Sequence, residues 1–169
     1  EEAKAGVRRA IGEEARQHDI RRHIQAGRPG SQDLAVRLHR HRLGAAGSDL
    51  LHEEPDALFR FHVGRSRSRA YLFLISGSFT STEVRYLPAA EPGGTWRMLL
   101  PREKDHEYQV DHGVGPDGDI FLIRTNRGGL RNFRLVAAPV ADPHPDRWRE
   151  LIAHRPDVML EDVDVFARR

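Results

Sequence analysis

Ser76-Gly-Ser78-Phe-Thr80 is this chain's nearest approach to a serine nucleophile. A nucleophile elbow needs Gly-x-Ser-x-Gly between a strand and a helix, because a strained turn must present the hydroxyl. Here the second glycine is missing and an apolar strand-like run precedes the serine, so the segment reads as a turn. Ten histidines raise the question of a metal. His39 and His41 would share a strand face, and His106 and His112 flank Asp111. The chain has no cysteine and no helical His-x-x-x-His pair, which favours surface and turn histidines over zinc ligands. His112 is expected to hydrogen-bond near the Asp117 turn.

Asp111, Asp117 and Asp119 with Gly115 and Gly118 suggest a calcium loop, but the Asp-x-Asp-x-Asp-Gly spacing is absent. A Pro116-Asp-Gly-Asp119 hairpin turn explains the same residues. Glu161-Asp-Val-Asp164 could pair carboxylates: on a strand, Asp162 and Asp164 would share one face, suited to cationic peptide ends. The competing reading is solvation or salt bridging to Arg155 and similar arginines. Arg65, Arg67 and Arg69 alternate and would line a strand face, and Arg21, Arg22 and Arg28 lie nearer the start. Arginine forks suit phosphate. Base-stacking aromatics are few, however, and the arginines are interleaved with acids, which speaks against a nucleic-acid partner. No catalytic, cofactor-binding or metal-ligating residue is assigned.

The elements that must position these groups recur. Tyr71-Leu-Phe-Leu-Ile-Ser76 returns forty-nine positions on as Ile120-Phe-Leu-Ile-Arg-Thr125, and Val84-Arg-Tyr-Leu87 as Phe133-Arg-Leu-Val136 at the same offset. Trp96-Arg-Met-Leu-Leu100 returns at fifty-two as Trp148-Arg-Glu-Leu-Ile152. Phe59-x-Phe61 precedes Tyr108-x-Val110, and Leu50-Leu51 precedes Leu99-Leu100, by forty-nine. Short strands with a period near fifty are the pattern of propeller blades, which must stack on neighbours to bury their faces. The fold class is therefore all-β: a partial β-propeller of two complete four-stranded antiparallel blades, from about Leu58 to Ala153, with partial blades on either side. Trp96 and Trp148 are each expected to pack a blade against the next. A full propeller needs at least four blades, so the chain reads as a piece of something larger.

Two regions are expected. Residues 1–33 carry Val7, Ala10, Ile11, Ala15, Ile20 and Ile24 near helical spacing, ending at Gly27-Arg-Pro-Gly30, and predict a short helical leader and linker. Residues 34–169 predict the partial propeller. Ala35–Leu43 alternates imperfectly; Ala70–Ser76 is apolar on both faces; Val158–Phe166 is predicted as one more inner strand. Charged residues make up 31% of the chain and the net charge is +2, which fits a β-rich domain with no strong pull towards nucleic acid. No apolar run approaches the roughly 18 residues a spanning helix needs, so no membrane partner is expected. The absence of cysteine points to the cytoplasm.

Arg65-Ser-Arg-Ser-Arg-Ala-Tyr-Leu72, Thr82-Glu-Val-Arg-Tyr-Leu87, Pro101-Arg-Glu-Lys-x-His-Glu-Tyr108, Val110-Asp-His112, Asn132-Phe-Arg-Leu135, Ala138-Pro139 and Leu151-Ile-x-His-Arg-Pro-Asp-Val158 follow one another in order. The series resembles the N-terminal propeller of oligopeptidase B, of the prolyl oligopeptidase family of serine peptidases, over about residues 38–166. The resemblance implies a seven-bladed propeller acting as a lid on an α/β-hydrolase domain that cleaves short peptides after Arg or Lys. The catalytic triad of such enzymes lies in the hydrolase domain, and none of this chain resembles that region.

The expected function is thus a fragment of a non-catalytic gating propeller, with no catalysis from this chain alone. Its expected partners are the missing hydrolase domain and remaining blades, with short basic peptides as the parent enzyme's substrates. The alternatives are a stand-alone interaction module that uses open blade edges to bind a partner strand, and a truncated gene remnant.

Overall fold

The computed structural model describes residues 19–23 and 35–166, and the chain divides into two compact units, Glu1–Leu58 and Phe59–Arg169. Among the described residues no helix is long and apolar enough to cross a membrane. In the first unit, strands β1 (Asp19–His23), β2 (Val36–His41) and β3 (Ser48–Glu54) form an antiparallel sheet in that order. Val36 and Leu38 are buried, while Arg37 and Arg40 stand opposite Glu53 and Asp49 and pair with them at 2.6 and 2.8 Å. The imperfect alternation of Ala35–Leu43 has a local cause, a register shift between Leu38 and His39. Asp19–His23 forms a strand where a helix was expected. A thin apolar stripe does not hold a short helix, whereas pairing with β2 runs along the whole length of this segment and satisfies the backbone groups on that side. The rest of the expected leader, 1–18 and 24–33, lies outside the described residues.

The second unit contains two four-stranded antiparallel sheets. Strands β4 (Arg60–Arg65), β5 (Tyr71–Gly77), β6 (Thr82–Pro88) and β7 (Arg97–Leu100) make the first, in the order β4-β5-β6-β7. Strands β8 (Tyr108–Gly115), β9 (Gly118–Thr125), β10 (Arg134–Pro139) and β11 (Arg149–Ile152) make the second, in the order β11-β10-β9-β8. Each repeated segment occupies the same strand of its sheet, so these are the two complete blades the spacing predicts. Gly115 pairs with Gly118 across a two-residue Pro116-Asp117 loop, and Gly118 takes a φ of +118° that a side chain would strain. Val158–Phe166 is not the expected strand. Beyond a single bridge between Arg155 and Val158 it has no ladder, although Val165 lies close to Gly113 of β8; side-chain contacts to Arg67 and Arg124 hold it instead.

The blades meet through a shared core. Phe73, Val84, Tyr86, Leu99 and Leu100 of the first pack with Tyr108, Phe121, Ile123, Val136 and Ala138 of the second. Phe121 is 0% exposed and sits edge-on to Tyr86, Tyr71 and Phe73, at centroid distances of 4.9, 5.5 and 5.9 Å. Tyr108 adds a polar pin. Its hydroxyl accepts from the Val84 N–H and donates to the Leu100 carbonyl, both at 2.7 Å. These groups flank the register shift between β6 and β7, where the ladder bends. Burial pushes the Tyr108 pKa strongly up, so the hydroxyl keeps the proton it donates.

Replacing Tyr108 by Phe removes both bonds and leaves the Val84 N–H and Leu100 carbonyl buried without the hydroxyl. We expect a loss of about 1–3 kcal/mol, read as a lower urea midpoint at unchanged m-value.

Candidate functional site

A concavity of the second unit opens between the inner strands of its two blades. It is a cleft of about 560 Å³ with an apolar floor of Phe73, Ile75, Val84, Val110 and Leu122. The rim carries Arg65, Arg67 and Arg124 against Glu107, Asp111 and Asp162. Arg65 lies on β4 and Asp111 on β8, each the edge strand of its sheet. Arg124 lies on β9, Glu107 just before β8, Arg67 in the turn after β4 and Asp162 in the irregular segment after β11.

The cations of the rim are tied down. Arg65 donates from Nε and a terminal nitrogen to the Arg69 carbonyl, at 3.2 and 3.1 Å. Arg67 pairs with Asp164 and lies 5.7 Å from the Phe166 ring. Arg124 stacks 3.5 Å from the Phe133 ring centroid and donates to the Leu160 carbonyl. These contacts, with the Leu160 N–H on the Asn132 carbonyl, hold residues 160–166 beside the cleft without a strand ladder. Arg67 and Arg69 lie in the turn after β4 and not along a strand face, which corrects the alternating-arginine expectation. The residues are too close to the hairpin for the strand to continue through them.

Other sequence-level candidates fall as follows. Ser76 is buried at the end of β5, and Ser78 closes a hairpin in which its hydroxyl accepts from the Ser81 N–H at 3.1 Å. His39 and His41 lie on β2, contacting Ser48 and the Gly47 carbonyl at 3.2 and 3.1 Å. Among the described residues no three His, Asp or Glu converge as a metal site would require. Asp164 pairs with Arg67 and Asp162 lines the cleft, whereas Arg155 takes Asp157 at 2.7 Å and holds its carboxyl below the usual range. Trp148 packs on the core shared with the preceding blade and donates to the Pro143 carbonyl at 3.0 Å; Trp96 is half-buried before β7.

His106 and His112, expected as surface or turn residues, are 3% and 2% exposed. His106 does close a turn, donating its N–H to the Glu103 carbonyl at 3.2 Å, and His112 lies on β8. The neighbouring blade buries them, which a single strand's polarity does not reveal. His106 Nε2 lies 2.8 Å from the Thr125 hydroxyl, and its carbonyl accepts from the Thr82 N–H of the first blade. His112 Nδ1 lies 2.8 Å from the Ser68 hydroxyl, again across the seam. The Asp111 carboxylate accepts from the backbone N–H of both Arg67 and His112, at 3.0 and 2.8 Å. The turn residues Ser66 and Ser68, the Tyr108 hydroxyl and Arg124 had no signal in the sequence beyond their places in the repeat.

Burial lowers the pKa of both histidines, against nearby carboxylates that raise it. A base with a depressed folded pKa binds fewer protons folded than unfolded. Its stabilisation is therefore complete above the unfolded value, about 6.5, and is lost as the pH falls below it. We expect the urea midpoint to drop between pH 7 and pH 5, and the drop to shrink in His106→Gln. Arg124→Ala is expected to speed limited proteolysis within residues 160–166 several-fold, with little change in the global midpoint.

The family model for the prolyl oligopeptidase N-terminal β-propeller domain matches residues 20–169. Dipeptidyl aminopeptidase BI of Pseudoxanthomonas mexicana is 40% identical over 135 residues, which cover 79% of this chain and 18% of that protein. Among solved structures, oligopeptidase B from Trypanosoma brucei superposes with a TM-score of 0.68 at 31% identity, covering 78% of this chain and 18% of that one. Oligopeptidase B from Leishmania major gives 0.69 at 26%, covering 86% and 19%. The chain thus spans about a fifth of the length of these relatives.

Proposed function

The chain belongs to the prolyl oligopeptidase N-terminal β-propeller family, and from that premise we propose that it is part of the non-catalytic gating propeller of an oligopeptidase B-like serine peptidase. Its work is exclusion: stacked blades admit short peptides to a hydrolase domain and turn folded proteins away. Cleavage after Arg or Lys is the specificity we propose for the assembled enzyme, and the cysteine-free sequence supports a cytoplasmic setting.

One observation carries the reading at the level of this chain. Leu99 and Leu100 of β7 are buried at 5% and 3%, whereas their repeat equivalents Leu151 and Ile152 of β11 are 39% and 48% exposed. Val158 and Met159 are similarly open. Equal sequence with unequal burial is what a stack shows where its next layer is absent. A further blade of the same repeat, continuing towards the hydrolase domain, supplies that layer in our proposal.

The test is a chimera in which this chain replaces the matching segment of the Pseudoxanthomonas relative. The chimera is expected to hydrolyse short peptides, prefer Arg or Lys before the cut and leave folded casein-sized substrates intact, while the isolated chain hydrolyses nothing. Hydrolysis by the isolated chain, or unrestricted digestion of proteins by the chimera, would overturn the proposal. A chimera that gates normally but cuts after other residues would remove only the specificity.

A further inference from the structure

We infer that Ser66, Ser68 and His112 form a proton-operated latch across the seam between the two blades: protonating His112 overloads the Ser68 oxygen with donors and loosens the β4–β5 turn from the second blade. The inference rests on the seam itself and is independent of any peptidase activity.

The chain of bonds has a direction. His112 Nε2 is buried, has no hydrogen-bond partner and faces Asp119 Oδ1 at 3.7 Å, so in the neutral ring the proton belongs on Nε2. Nδ1 is then the acceptor, and the Ser68 hydroxyl 2.8 Å away must donate to it. Ser68 Oγ in turn accepts from the Ala70 N–H at 3.2 Å and from the Ser66 hydroxyl at 2.8 Å. Ser66 Oγ accepts from the Tyr71 N–H at 3.0 Å. Every donor in this order has an acceptor except Nε2–H, which faces Asp119 beyond hydrogen-bonding distance.

A second proton on the ring breaks that order. Nδ1–H now points at Ser68 Oγ, which already accepts from the Ala70 N–H and the Ser66 hydroxyl, while the hydroxyl of the exposed Ser68 turns to water. Three donors then compete for two lone pairs, and the one displaced is the Ser66 hydroxyl, on a residue only 4% exposed, or the Ala70 N–H that closes the turn. A buried donor without an acceptor is costly, so the turn is expected to open and let water in.

The charged and titratable neighbours fix the direction of the response. Asp119 of β9 and Asp111 beside it on β8 favour the imidazolium. Asp111 is already occupied by two backbone N–H groups, and Arg67, the nearest cation of the turn, is paired with Asp164. On the ring's other side Tyr71 packs at 4.7 Å, with Tyr86 and Arg97 in its own field. Burial outweighs the carboxylates and lowers the pKa of His112, so the latch is closed at neutral pH and opens on acidification. The Arg67 N–H to Asp111 remains as a second tie, which confines the opening to the turn.

The experiment follows the His112 ring by NMR and the Ala70 and Tyr71 amides by hydrogen exchange, corrected for intrinsic rates, from pH 7.5 to 5. Protection of the two amides is expected to fall about ten-fold, with the midpoint of the His112 titration. His112→Gln should abolish this dependence. Ser68→Ala, which removes no buried bulk, should move the His112 midpoint, because Nδ1 loses its partner in both protonation states. Protection that stays constant through the His112 titration, or a pH dependence that survives in His112→Gln, would overturn the latch. An unmoved midpoint in Ser68→Ala would overturn it equally, should His112→Gln fail to fold.

Discussion

Phe121 touches no solvent and is surrounded by rings from the neighbouring sheet. That arrangement expresses the constraint on which residues 59–166 depend: each sheet is apolar on both faces and stands only if covered on both. Phe73 and Leu74 are consecutive on β5, point to opposite faces and are both buried. A sheet of this kind cannot present a clean polar face to water, as many antiparallel sheets do. Its stability comes from stacking, and its function has to be sought at the seams and the inner edges.

The seam between the two blades is held by more than apolar area. Tyr108, His106, His112 and Asp111 all come from the second blade or its approach, and each reaches a backbone or hydroxyl group of the first. Apolar packing alone tolerates sliding, because burial has little directional preference. Directed bonds at the start and in the middle of β8 fix the angle and register of one blade on the other. They do so close to the cleft, whose floor is formed by the same packed residues. Geometry at the cleft and cohesion at the seam therefore vary together. A proton or a substitution at the seam acts on both.

The repeats show how one pattern serves different ends. Phe59 and Tyr108 are equivalent positions, yet the hydroxyl of Tyr108 pins the neighbouring blade while Phe59 receives the Arg102 guanidinium at 3.9 Å. Ile75 and Arg124 are likewise equivalent, and only the second can hold residues 160–166 in place. Such substitutions inside a repeat leave the strand in position while changing what its surface does.

Strand number, order and the two-blade architecture were legible in the sequence, because a period of about fifty with alternating apolar residues admits few other folds. The tight turn at Pro116-Asp117 was legible for a local reason, as proline fixes its own φ and glycine permits the positive φ that the turn needs. Long-range placement was not. Asp19–His23 pairs as a strand because β2 lies alongside, and Val158–Phe166 is held by side chains, Arg67 and Arg124 among them, and not by a ladder. His106 and His112 look like surface residues in a polar stretch and are buried by a sheet some forty residues earlier in the chain. Local sequence determines which way each side chain points from its strand. Only tertiary structure decides what stands opposite, and hence which histidine is dry, which arginine is occupied and which leucine is left uncovered.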